Sequence, residues 1–139
     1  MNPKPAVLAL LACCSSAFAL IGEDAKQIEG RYGKPMRVVA EHGNYRHVGY
    51  ASHGFMILVE FLEGISKGEE FARPDKSNLS SDVVKQILAL SADKDQTWRD
   101  LPPKDGDRFW SRSDGKAMAI FPAQGNFFIV QDPNFVEPQ

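Results

Sequence analysis

The chain is poor in the residues that carry chemistry. Its 139 residues include two cysteines, three histidines and two tryptophans. Both cysteines, Cys13 and Cys14, fall within the first nineteen positions. A chain cut after Ala19 therefore has no thiol to cross-link or to attack a substrate, and its core alone must hold it together. No Gly-x-Ser-x-Gly elbow and no cofactor signature occur. A basic stripe is missing too, which excludes nucleic acid as a partner, and no polybasic segment is present to seek anionic lipid. Long apolar runs are also lacking. The stretch from Ala6 to Ile21 is interrupted by Ser15 and Ser16, short of the roughly 20 apolar residues that span a bilayer.

What is present begins at the N-terminus. Lys4, the apolar run Ala6–Cys14 and small residues at Ala17 and Ala19 form the pattern of a secretory signal peptide over 1–19. The reading expects export to a periplasm or the extracellular space, with 20–139 as the mature domain. Two other readings of the same residues are an uncleaved anchor and a lipoprotein cut before Cys13. Against the second, Leu11 is bulky for a lipidation box and Cys13 comes early. Loss of Lys4 leaves 15 Lys and Arg against 18 Asp and Glu, a net charge of −3. The remaining 120 residues suffice for one domain that buries about 65% of its unfolded surface.

Gly22-Glu23-Asp24 reads as a helix start, and Ile21, Ala25, Ile28 and Tyr32 as its apolar stripe, ended by Gly33 and Pro35. Strands are predicted at Arg37–Ala40, Tyr45–Ala51, Phe55–Phe61 and Ser66–Ala72, the last as a polar edge strand. A second helix starts at Ser80 or Ser81 and buries Val83, Val84, Ile87, Leu88 and Leu90. A loop over Arg99–Asp107 contains Pro102-Pro103. Strands follow at Arg108–Arg112, Lys116–Phe121 and Phe127–Gln131, then a loose tail over 132–139. The expected fold class is α+β: helix, β-meander, helix, β-meander, with two helices packed on an antiparallel sheet. Ser52-His53-Gly54-Phe55 and Ser113-Asp114-Gly115-Lys116 echo each other, so a twofold repeat over 20–78 and 79–131 is also expected.

Several short motifs carry a resemblance. They are Arg31-Tyr32-Gly33-Lys34-Pro35, Gly54-Phe55-x-Ile57-x-Val59-x-Phe61-x-x-Gly64, Leu79-Ser80, Trp98, and Trp110-Ser-Arg112-Ser-Asp114-Gly115-x-Ala117-x-Ala119. Together they resemble a group of small secreted bacterial proteins of unassigned function. The fold this implies is similar to the tandem helix-plus-meander proteins, namely the β-lactamase inhibitor proteins and the outer-membrane assembly lipoproteins, which bind other proteins. The resemblance supplies no catalytic residue. Ile65 after Gly64 and the lack of a convincing lipidated cysteine depart from the lipoprotein pattern.

His42, His47 and His53 fall within twelve residues and pose a zinc question. His42 and His47 lie on opposite parities of a continuous strand, and only the turn at Gly43-Asn44 would bring them together. Glu60, Glu63, Glu69 and Glu70 pose a carboxylate-pair question, as in glycoside hydrolysis. Trp98 and Trp110 are candidates for a sugar-stacking platform, against the commoner reading of core aromatics. The sheet offers the stronger clue. Phe55, Ile57, Val59 and Phe61 make one apolar parity, while Met56 and Leu58 keep the other greasy as well. Met118 and Ile120 do the same opposite Ala117, Ala119 and Phe121. A sheet wet on one side alternates more cleanly. The expected function is therefore non-catalytic binding of another exported protein through Met56, Leu58, Met118 and Ile120, with no cofactor. The alternatives are a homodimer through the same face, a sheet roofed on both sides by the chain itself, or a small-ligand, metal-binding or hydrolytic protein using His42, His47 and His53.

Overall fold

The computed structural model describes residues 21–139, so the predicted signal peptide lies outside the described residues. Eight strands dominate the chain. They are β1 (Arg37–His42), β2 (Tyr45–Ser52), β3 (Phe55–Leu62), β4 (Ile65–Ala72), β5 (Trp98–Lys104), β6 (Asp107–Arg112), β7 (Met118–Phe121) and β8 (Phe127–Gln131). Two short helices precede β1 and β5: α1 (Ala25–Tyr32) and α2 (Ser81–Leu90). Among the described residues no helix is long and apolar enough to cross a membrane.

The strands form one antiparallel sheet in the order β1-β2-β3-β4-β8-β7-β6-β5. This corrects the α+β expectation of helix-plus-meander units. Gly68–Ala72 pairs with Phe127–Gln131, so the strands on either side of α2 merge into a single continuous layer. The helices, of eight and ten residues, are minor additions to a sheet-dominated fold.

Local chemistry explains the elements. Asp24, rather than Gly22, caps α1. Its carboxylate accepts from the Gln27 N–H at 2.8 Å, and the Gln27 side chain accepts from the Asp24 N–H at 3.0 Å, a reciprocal capping box. Ser80 caps α2 by accepting from the Val83 N–H at 3.3 Å. Asp105-Gly106 makes a tight hairpin with both residues at positive φ (53° and 86°). The residues expected to form a loop over Arg99–Asp107 therefore become β5 and its turn. Pro102 and Pro103 are tolerated there because β5 is the outermost strand, and its register breaks between Leu101 and Lys104. The Ser66–Ala72 segment, expected at an edge, is central β4 instead.

Both helices pack on the same face. Ile28 and Tyr32 of α1, and Val84, Ile87 and Leu88 of α2, share one buried cluster with Val48, Tyr50, Ile57, Val59, Phe71, Phe128 and Val130. Cross-strand pairing aligns a row on that face: Val48, Val59, Glu69, Val130, Ala119 and Trp110. All six are buried. The opposite face carries the other parity, and its residues are half-exposed along β3, β6, β7 and β8.

Candidate functional site

The second face is where the expected partner-binding residues fall. Register sets Leu58 beside Glu70, Glu70 beside Ile129, Ile129 beside Ile120, Ile120 beside Phe109, and Phe109 beside Leu101. Glu70 alone interrupts this apolar row. Met118 lies in the neighbouring row, opposite Gln131, whose amide approaches the Met118 sulfur at 3.9 Å. Met56 starts a third row opposite Ala72. The four residues Met56, Leu58, Met118 and Ile120 thus share one face, on β3 and β7, and each is half-exposed.

Over one end of this face lies the C-terminal segment, expected to be loose. Its N-terminal end is fastened beside β4: the Asp132 N–H donates to the Lys67 carbonyl at 2.8 Å, and Lys67 Nζ lies 3.5 Å from the Asp132 carboxylate. Asp132 also accepts from the Asn134 and Phe135 N–H groups, at 2.9 and 3.1 Å. Further on, Tyr45 donates its hydroxyl proton to Glu137 at 3.3 Å. Phe135 and Glu137 then wall an open cleft of about 310 Å³ with His47, Glu60, Glu70 and Ile129. A second groove of about 350 Å³ shares Leu58 and Glu70 with it and runs on past Met56 to Arg37, Arg73 and Lys76. The two form one trough, acidic at the end under the tail and basic at the other.

The acidic end is electrostatically strained. Burial, then the nearby Glu137 and Glu70 carboxylates, push Glu60 up to about 7. Burial also raises Glu70 and lowers His47, an effect that Glu137 opposes. Like charges gathered in a partly dried cleft disfavour one another's ionised forms.

The other candidate residues are dispersed. The hairpin at Gly43-Asn44 turns His42 and His47 onto one face, with Tyr45 between them (ring centroids 4.9 Å from His42 and 6.5 Å from His47). His53 lies at the far end of β2, its Nδ1 2.7 Å from Ser52 Oγ. Among the described residues no three His, Cys, Asp or Glu side chains converge on a metal position. The four glutamates also separate. Glu60 and Glu70 share the second face, Glu63 sits in a turn where it accepts from Asn44 at 3.4 Å, and Glu69 points into the core. The tryptophans build no platform. Trp110 is 4% exposed beside Phe128, and Trp98 donates its Nε1–H to the Leu88 carbonyl at 2.7 Å, closing the end of α2.

No family model and no curated protein matches the chain. Among solved structures it is similar to an extracellular protein containing an SCP domain from Bacillus anthracis str. Ames, with a TM-score of 0.45 and 13% sequence identity. The match covers 81% of this chain and 44% of that one, so the chain spans less than half of that protein's length. A likeness this remote assigns neither fold nor activity.

Proposed function

We propose that this chain is an exported, non-catalytic domain that binds another exported protein through the second face of its sheet. One observation carries the reading: both helices cover the same face, and the other keeps an apolar row from Leu58 to Leu101 half in water. Contiguous half-exposed Met, Leu, Ile and Phe side chains have the composition of an interface core. The trough supports a partner of complementary chemistry. Its contact surface is apolar at the centre, basic where it meets Glu60 and Glu70, and acidic where it meets Arg37, Arg73 and Lys76. The expected export supports the same reading.

The test is the double substitution Met56→Asp, Leu58→Asp. These side chains already meet water, so the melting temperature is expected to move little. Partners recovered from the native exported fraction, and then purified, are expected to bind the wild-type chain in a titration and to lose the variant. Unfolding of the variant, or equal binding by both proteins, overturns the proposal. A wild-type solution mass of two chains that the variant halves would replace the hetero-partner with a second copy.

A further inference from the structure

The C-terminal tail lies across the second face of the sheet. From Asp132, at the end of β8, it crosses β4 and β3 to reach Tyr45 on β2. That path covers three inter-strand steps, roughly 14 Å, and the Tyr45 and Glu137 side chains meet at its far end. The crossing places Phe135 against the cleft and brings Glu137 over Glu60. Its anchors are unequal. The Asp132 end is held by a backbone hydrogen bond, an ion pair and a turn. The Glu137 end is held by one long hydrogen bond from Tyr45 and sits among carboxylates.

We propose that residues 132–139 form a strap, hinged at Asp132, that closes over the acidic end of the cleft in mild acid and lifts when Glu60 ionises beneath Glu137. The groups around Glu60 come from the neighbouring strands and from the tail. From β2 it faces His47 directly, with Tyr45 nearby; from β4 it faces Gly68, with Glu70 alongside; from the tail it faces Glu137. Gln131 of β8, opposite Gly68, is neutral. His47 is the one side chain in that set able to carry positive charge, but burial lowers its titration, so the change near neutrality falls on Glu60. Resting on the protein-binding reading, the strap would also gate that face, since a partner at the Glu60 end must displace Phe135 and Glu137.

Backbone amide relaxation of the isotope-labelled protein tests the strap without any partner. At pH 6 the amides of Phe135–Glu137 are expected to be nearly as rigid as the strands, with order parameters near ~0.85, falling below about 0.6 at pH 8. Glu60→Gln and Glu137→Gln each remove one of the two charges and are expected to keep the tail rigid at both pH values. Glu137 is exposed at the chain end, so its variant carries no risk of misfolding. A tail equally ordered, or equally mobile, at both pH values overturns the proposal, as does lifting in Glu137→Gln to the wild-type extent. If the strap behaves as stated while purified partner binds alike at pH 6 and pH 8, the gating role falls and the strap stands. Loss of the partner-binding reading itself leaves these relaxation results untouched.

Discussion

Glu69 lies at 2% exposure in an otherwise apolar row. One carboxyl oxygen accepts from the Tyr32 hydroxyl at 3.3 Å, and the other has no hydrogen-bond partner. Burial pushes this group up to about 8, with Tyr32 acting against it. A raised folded-state value means that the folded chain holds the proton more tightly than the unfolded chain. The stability this gives is fully present below the ordinary carboxylate range and is lost as pH rises through about 8. Each unit of difference is worth about 1.4 kcal/mol, so unfolding free energy is expected to fall by several kcal/mol between pH 5 and pH 8. Glu69→Gln should reduce that slope in urea titrations at the two pH values, leaving the share that Glu60 and Glu70 contribute. An unchanged slope would show that Glu69 is not its source.

At the scale of elements, the β5–β6 turn sets a local requirement. Gly106 has φ +86°, and a Cβ there would stand 3.0 Å from the Ala123 Cβ. Gly106→Ala should destabilise the chain by about 1–2 kcal/mol through backbone strain and crowding, read as a lower melting temperature with the sheet intact. Sequence patterns reached the elements unevenly. Alternation at Phe55–Phe61 announced β3 because a period of two survives wherever one parity is buried. The polar stretch Gly68-Glu69-Glu70 read as an edge because its hydrogen-bond donor and its cover come from distant segments, Tyr32 for Glu69 and the tail for the cleft. Pro102-Pro103 read as a loop because prolines forbid a central strand, and nothing local says that β5 is outermost. The same limit applies to the site. Parity along β3 and β7 places Met56, Leu58, Met118 and Ile120 on one face. The carboxylate end draws Glu60, Glu70 and Glu137 from three separate segments, and only the β3–β4 pairing and the path of the tail bring them together.

At the scale of the molecule, the β4–β8 pairing decides cooperativity. Phe71, Phe128 and Val130 are buried across that junction, so neither set of four strands has a separate core. The sequence provides separate reporters. All three tyrosines (Tyr32, Tyr45, Tyr50) precede the junction, and both tryptophans (Trp98, Trp110) lie beyond α2. Tyrosine and tryptophan signals should therefore trace superimposable unfolding curves, as a two-state transition requires. Two separated midpoints would show that the halves melt independently.

The two outer strands bear on behaviour in concentrated solution. A sheet end with free backbone donors is a template on which further chains stack. Here one rim has two consecutive prolines, whose nitrogens carry no hydrogen to offer, and the other is kinked between Val38 and Ala40 by a misaligned residue. Val38 and Val39 on that kinked rim stay 45% exposed, yet the distortion denies a newcomer an unbroken ladder. Each rim thus carries its own stop against fibre growth.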